Sequence, residues 1–286
     1  MVMNNKRVAS VIVTFNRLQD LKNCISCVKK QSYRNFDLIV VNNGSTDGTK
    51  EYLESLSEII VINQENVGGA GGFYSGMKYM FDNGYEWLWL MDDDGIPDEH
   101  QLENLIAYNG PESYRNALVL NKDNNSEFAF PNRKDPKLED VYKEGHIKDF
   151  AHPFNGTLYH RNLIAKIGFI KKEMFIWGDE MEYTMRARKN GLCPVTVANA
   201  IHFHPKEKGI KVNVFPFINR IKIVEKPKKF SHHYYRNRGF IDKNYETAFS
   251  SIKFVCYYTF YFLRKFDIPE LKKFYTYYFA GRHNEY

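Results

Sequence analysis

Three consecutive carboxylates, Asp92, Asp93 and Asp94, follow directly on the apolar run WLWLM at residues 87–91. On a strand, alternate side chains share a face, so Asp92 and Asp94 are expected on one side and Asp93 on the other. Two hard oxygen ligands on one side suit Mg2+ or Mn2+, and such an ion needs a further partner, such as a diphosphate, to fill its shell. The plainer alternative is that these acids complement the dipole of a helix opened by Pro97 and Asp98. Three adjacent carboxylates at a buried strand end repel one another unless a cation is present, which favours the metal. A second acidic group stands in FIWGDEMEY, residues 175–183, where Asp179, Glu180 and Glu182 follow an apolar lead and precede Arg186 and Arg188. A carboxylate near an apolar wall such as Trp177 suits general-base work, because partial desolvation brings an acid toward working pH. An exposed acidic helix start, with Glu182 and Arg186 paired four residues apart, would look the same. His202 and His204 alternate in AIHFHP, so both can face one side of a strand, where one neutral imidazole could complete a metal site.

Four glycines in NVGGAGG, residues 66–72, predict a loop in which the backbone approaches a ligand closely. It is not a dinucleotide fingerprint: Tyr74 stands where the third glycine of G-x-G-x-x-G would be, and the chain has no G-K-[ST]. Asn42, Asn43 and Asp47 could hydrogen-bond a base or ribose, although Asn-Gly-Ser and Asp-Gly are also ordinary turn chemistry. A repeating pattern positions these candidates. VASVIVTF at residues 8–15 reads as a strand, and Leu18, Leu21, Ile25 and Val28 then recur at helical steps. Residues 36–41 read as a second strand, 42–49 as a turn with Thr46 or Asp47 as helix cap, and 50–56 as a short helix. A third strand at 59–62, a helix from about 73 to 83 and a fourth strand at 87–91 complete the series. Strands apolar on both faces and separated by helices imply an α/β fold with a parallel sheet covered on both sides. Ligands bind outside the carboxyl ends of such strands, here residues 14–17, 42–47, 63–72 and 92–94. After a polar, irregular stretch from about 121 to 149, HPFNGTLYHR at 152–161 returns to the core as a strand.

Charge is unevenly spread. The net charge is +6, yet residues 206–286 hold 17 Lys/Arg against 7 Asp/Glu and 21 of the 45 aromatic residues, whereas residues 1–205 are net −4. Two regions follow, a catalytic domain at 1–205 and a basic, aromatic-rich helical region at 206–286. At 43% hydrophobic and 26% charged, disordered and collagen-like classes are excluded. Between 249 and 279, apolar residues recur at three and four spacings among Lys253, Arg264, Lys265, Lys272 and Lys273, which predicts one or two amphipathic helices. Some of these rings must pack internally. A basic, aromatic face also suits the anionic inner leaflet of a membrane. No nucleic-acid motif accompanies it, so nucleic acid is not an expected partner. In HHYYRNR, residues 232–238, Arg236 and Arg238 could grip a diphosphate while Tyr234 or Tyr235 stacks on a sugar, or the segment is a structural helix. The longest apolar run, 254–263, is about half a bilayer span. Four cysteines make no disulfide framework, Cys24 and Cys27 read as buried helix positions, and no apolar signal core follows Met1, so a cytoplasmic protein is expected.

The order VASVIVTFNR, VVNNGSTDGT, NVGGAGGFYSGM, MDDD, a W-x-D-E-x-E-Y segment and a later histidine resembles the family 2 glycosyltransferases over roughly residues 7–240. NVGGAGGFYSGM, the triple aspartate and YYRNR look most like the branch containing galactofuranosyltransferases and bacterial rhamnosyltransferases. The resemblance implies a GT-A fold, a Rossmann-like, mostly parallel sheet with helices on both faces, plus a C-terminal helical appendage. It implies that Thr14, Phe15, Arg17, Asn43 and Asp47 bind the nucleotide. Gly69, Gly71 and Gly72 would flank the sugar diphosphate, and Asp92 and Asp93 would meet the donor. Asp92 and Asp94 would hold Mn2+ or Mg2+ with His202, or with His204 as the alternative. Asp179, or Glu180, would be the catalytic base, and Trp177, Tyr235, Arg236 and Arg238 would face the acceptor or its diphosphate. The implied reaction is an inverting, metal-dependent transfer of a sugar, galactofuranose foremost, from a UDP-sugar to a polyprenyl-diphosphate-linked glycan. The setting would be bacterial surface polysaccharide synthesis at the inner face of the cell membrane, and a homo-oligomer is compatible with it. Alternatives are dTDP-rhamnose or a UDP-hexopyranose as donor and, more remotely, a non-catalytic membrane-surface or carbohydrate-binding protein. D-x-D-G at 92–95 also occurs in haloacid dehalogenase-type phosphatases, but there it ends the first strand and here the fourth.

Overall fold

A computed structural model describes residues 7–131, 135–206, 210–216 and 218–285. The chain divides into two compact units, Met1–Lys172 with Tyr183–Glu207, and Glu173–Glu182 with Lys208–Tyr286. The first unit opens with β1 (Val8–Thr14), α1 (Leu18–Lys29), β2 (Phe36–Asn42), α2 (Thr49–Glu54), β3 (Ile60–Asn63), α3 (Gly68–Asp82) and β4 (Trp87–Asp92). It continues with β5 (Ile96–Pro97), α4 (Gln101–Ala107), β6 (Tyr114–Asn121), β7 (Asn124–Phe128), α5 (Leu138–Glu144), β8 (His146–Lys148), β9 (Asn155–His160) and α6 (Arg161–Ile167). Next come α7 (Asp179–Lys189), whose first turn belongs to the second unit, and β10 (Val195–His204). The second unit adds the hairpin β11 (Ile210–Phe215) and β12 (Ile218–Glu225), then α8 (Ser231–Tyr245), α9 (Ala248–Arg264) and α10 (Ile268–Arg282).

The central sheet runs β3-β2-β1-β4-β9-β6-β10-β5. Its first four strands are parallel, β9 is antiparallel to both β4 and β6, and β10 is again parallel to β6. Every residue of β1 is buried, and its side chains alternate between two cores as a pleated strand must. Ala9, Val11 and Val13 pack with Phe73, Met77 and Met80 of α3, while Val8 and Ile12 pack with Leu21, Ile25 and Val28 of α1. The second unit closes on rings: Tyr235, Tyr258, Phe262, Phe274 and Tyr278 share one core, which accounts for much of the aromatic excess after residue 205.

Several local expectations give way to packing. The glycine run is not a loop; it forms the start of α3, with Gly69, Gly71 and Gly72 inside the helix. Glycine is a poor helix former in isolation. Here a Cβ on Gly72 would lie 2.4 Å from Val13 Cγ1, and one on Gly76 2.6 Å from Val11 Cγ1, so only glycine lets α3 lie this close to β1. β4 ends at Asp92, which puts Asp93 and Asp94 in a turn where strand alternation no longer applies. Pro97 belongs to β5, and α4 starts only at Gln101. The stretch from 121 to 149 holds β7, α5 and β8, and a hairpin precedes the C-terminal helices. Residues 173–182, which carry Asp179 and Glu180, group with the C-terminal unit.

Candidate active site

In the first unit, the carboxyl ends of β1, β4 and β10 meet around Asp93 and Asp94. Thr14, the last residue of β1, donates from Oγ1 to Asp93 Oδ2 at 2.7 Å. Arg17, half exposed just before α1, donates from Nη1 to Asp94 Oδ2 at 2.7 Å and to Asp93 Oδ1 at 3.2 Å. His204 Nε2, at the end of β10, pairs with Asp94 Oδ1 at 3.2 Å. Burial drives the Asp93 carboxyl up to about 6, against the pull of Thr14 and Arg17. Burial acts on Asp94 too, but there His204 and Arg17 prevail and hold it at about 2. The neighbouring acids are thus driven apart, one toward protonation and one firmly ionised. Phe15 stands exposed beside them, and Asp92 ends β4.

The two histidines separate cleanly. His202, the preferred metal ligand on sequence grounds, is fully buried, with Nδ1 3.1 Å from Gln101 Oε1. A Cβ on Gly95 would fall 2.3 Å from its Nε2. Burial, with His204 nearby, lowers its pKa to about 3 and keeps the ring neutral, and its Nε2 is buried without a hydrogen-bond partner. His204 is the histidine in contact with Asp94. A carboxylate and an imidazole side by side can both ligate a divalent ion, the carboxylate being the donor that suits Mn2+ or Mg2+. Among the described residues no three His, Cys, Asp or Glu side chains converge as a ready cation site, so water or a bound diphosphate would supply the remaining ligands of such an ion.

The turns after β1 and β2 are stitched together. Asn16, in the left-handed region at φ +53°, accepts from Thr46 N through Oδ1 at 2.7 Å and donates its backbone N–H to Ser45 Oγ. Asp47, exposed, accepts from Leu18 N at the start of α1 and from Thr49 N and Oγ1 at the start of α2; against some desolvation, these bonds lower its pKa. The residue heading α2 is Gly48, not Thr46 or Asp47. Asn43 is buried: its amide donates to Gly68 O at 2.9 Å, and its oxygen accepts from Gln64 Nε2 at 2.8 Å. Asn43 and Asp47 therefore fix loops and helix starts. Gly69, the second residue of α3, has open space where its side chain would be.

In the second unit, the segment before α7 is held in an unusual shape. Phe175, Trp177 and Gly178 have φ of +64°, +61° and +105°. Asn237, fully buried on α8, donates its side-chain amide to Met174 O (2.7 Å), Ile176 O (3.0 Å) and Trp177 O (2.9 Å). Asp179 follows as the first residue of α7 and is buried. Glu180 Oε2 accepts from Gly178 N at 3.1 Å, and buried Glu182 accepts from Tyr245 Oη at 2.7 Å. Lys226 lies 4.5 Å from the centre of the half-buried Trp177 ring. Of the residues read as meeting the acceptor, Tyr235 is a core residue, its hydroxyl donating to Glu270 Oε1 at 3.0 Å, so it is not available to stack on a sugar. Arg238 is tied to Asp242 at 2.6 Å, and Arg236 donates to Glu173 O at 2.6 Å. Asn237 went unnoticed between these two arginines; its one sequence signal is a polar residue four positions before the buried Ile241.

Residues 10–168 match the family described as Glycosyl transferase family 2. Galactofuranosyltransferase GlfT1 of Mycobacterium tuberculosis is 32% identical over 214 residues, covering 69% of this chain and 70% of the relative. S. aureus TarS 1-349 in complex with UDP superimposes with a TM-score of 0.53 at 15% identity, covering 84% of this chain and 67% of that one. The mannosyltransferase PcManGT from Pyrobaculum calidifontis, solved with GDP-Man and Mn2+, gives a TM-score of 0.51 at 14% identity over 82% of this chain; the match spans 61% of its own length. At these identities the two structures speak for the GT-A fold alone. With the family match covering the strands that carry Thr14, Arg17 and Asp92–Asp94, the chain belongs to glycosyl transferase family 2 and is a glycosyltransferase.

Proposed function

We propose that the chain transfers galactofuranose, with inversion, from UDP-galactofuranose to a glycan carried on a polyprenyl diphosphate. The observation that carries this reading is the cluster of Thr14, Arg17, Asp93, Asp94 and His204 at the strand ends where such sheets bind ligands. The donor sugar is taken from the galactofuranosyltransferase relative. Asp94 and His204 would hold Mn2+ or Mg2+, with Asp92 adjoining. The ion, when bound, offsets charge that builds on the departing nucleoside diphosphate. Arg17, which pairs with Asp93 and Asp94, would offer a positive charge to the diphosphate at the same site. Thr14 keeps Asp93 oriented, and Phe15 offers an exposed ring to the nucleotide. Asp179 takes the proton from the acceptor hydroxyl as that oxygen bonds to the anomeric carbon and the bond to the diphosphate breaks; attack from the opposite face inverts the configuration. Asp179, buried as the first residue of α7, is the base in this reading, with Glu180 as the alternative. The basic second unit would keep the protein on the anionic surface where a lipid-linked acceptor lies. Sugar transfer by Asp179→Asn should be lost while donor binding, followed by calorimetry with UDP, stays within about twofold. Normal turnover by this variant would overturn the assignment. A donor panel of UDP-galactofuranose, UDP-galactose, UDP-glucose and dTDP-rhamnose identifies the sugar.

A further inference from the structure

α9 is apolar nearly all round. Its packed side carries Tyr258, Tyr261 and Phe262, while the opposite side carries Phe249, Ile252, Cys256, Phe260 and Leu263, all exposed and recurring at steps of three and four. Phe249 is 78% exposed, and Phe266 in the turn before α10 is 88% exposed. A helix side turned to water ordinarily carries charge of both signs. α9 contains no Asp or Glu; its charged residues are Lys253 and Arg264, and exposed Lys265 and Lys272 follow. Beside the apolar side, a cavity of about 390 Å³ opens between α9 and α10, lined by Ile252, Val255, Cys256, Tyr278, Phe279 and Arg282. Among the described residues no helix is long and apolar enough to cross a membrane. A helix of this composition lies in the plane of the interface.

We propose that the exposed side of α9, with Phe266 and the neighbouring α9–α10 cleft, is the docking face for an anionic bilayer. Phe249, Ile252, Phe260, Leu263 and Phe266 enter the acyl boundary, and Lys253, Lys265 and Lys272 meet lipid phosphates. Charge decides the occupant. Two copies joined through this face about a two-fold axis would set lysine against lysine with no α9 carboxylate to answer it, whereas anionic headgroups complement the rim. The inference rests on the proposed membrane setting and adds the surface that meets it.

The test uses the full chain with Cys27→Ser and Cys193→Ser, so that an environment-sensitive dye labels exposed Cys256 on the apolar side. Vesicles of phosphatidylcholine alone are compared with vesicles of phosphatidylcholine and phosphatidylglycerol. Expected are a blue shift of the dye on the mixed vesicles only, and at least a tenfold weaker co-sedimentation for Phe249→Ser with Ile252→Ser, transfer to a water-soluble acceptor being unchanged. If the parent binds mixed vesicles but the dye does not shift and the serine variant binds equally well, the face is wrong while the membrane setting stands. Absence of binding to either vesicle overturns both. A blue shift without vesicles, with doubled mass in light scattering, makes the face a self-association surface and overturns the proposal.

Discussion

Asn237→Ala tests whether the strained approach to α7 is held in shape for catalysis. The Asn237 amide has two N–H groups, so its contacts to Met174 O, Ile176 O and Trp177 O share two protons. At about 1 kcal/mol net per bond, and more where a buried carbonyl is left without a partner, the variant forfeits about 2–4 kcal/mol of restraint. Left-handed backbone at Phe175 and Trp177 costs on the order of 1–2 kcal/mol each. The two quantities nearly cancel, so once the amide is gone the segment has every reason to relax toward ordinary backbone, carrying Asp179 with it. A base misplaced by about 1 Å costs on the order of a hundredfold in rate. Steady-state transfer should therefore show kcat reduced at least tenfold, with the donor KM changed less than about twofold, because the proposed donor contacts sit on β1, β4 and β10. Hydrogen exchange should speed up at the amides of residues 175–178. Asn237→Asp, which keeps the shape but turns oxygen toward carbonyls, should be less stable than the alanine variant. Unchanged kcat together with unchanged exchange at 175–178 would refute the reasoning.

His204→Gln should raise the Mn2+ concentration needed for half-maximal donor binding at least fivefold, whereas His202→Gln should lower thermal stability with the Mn2+ requirement unmoved; the opposite pattern would make His202 the ligand. Gly72→Ala places a methyl 2.4 Å from Val13 Cγ1 and should cost about 1–3 kcal/mol in denaturant unfolding, with Val13→Ala restoring part of it; a silent Gly72→Ala would deny the close packing of α3. His233 has its pKa lowered to about 4 by burial, by His232 and by Arg236, and its ring stacks on Phe175. Stability from a neutral histidine is present above its unfolded pKa of about 6.5 and is lost as pH falls toward 4. His233→Gln should thus narrow the difference in Tm between neutral and mildly acid buffer, and an unchanged difference would remove His233 from the acid response.

Much of the first unit was legible because period and residue type agreed. β1, β2 and β4 are β-branched or apolar runs flanked by helical spacing, and their carboxyl ends point to Thr14, Arg17 and the aspartates from sequence alone. The glycine run is a helix where intrinsic propensity favours a loop, because Val13 on the adjacent strand leaves no room for a side chain at Gly72, as Val11 leaves none at Gly76 further along α3. Tyr235 was misassigned for a related reason. On α8 nothing in HHYYRNR distinguishes a ring that reaches a ligand from one that closes the core against Phe274, 5.2 Å away.

The choice between His202 and His204 shows where local reasoning stops. Alternation allows both to share a face of β10, and the residue types are identical. What separates them is β5, two residues long, which pairs Ile96 with Phe203 and Pro97 with His202. That antiparallel register folds the chain after Asp94 back along the end of β10. It seals His202 beneath Gly95 and leaves His204 level with the Asp94 carboxylate. A two-residue strand has no periodicity to detect. The pairing of Ile96 and Pro97 with β10 therefore bears on which imidazole meets the acid. Loss of that pairing should cost metal affinity before it costs the fold.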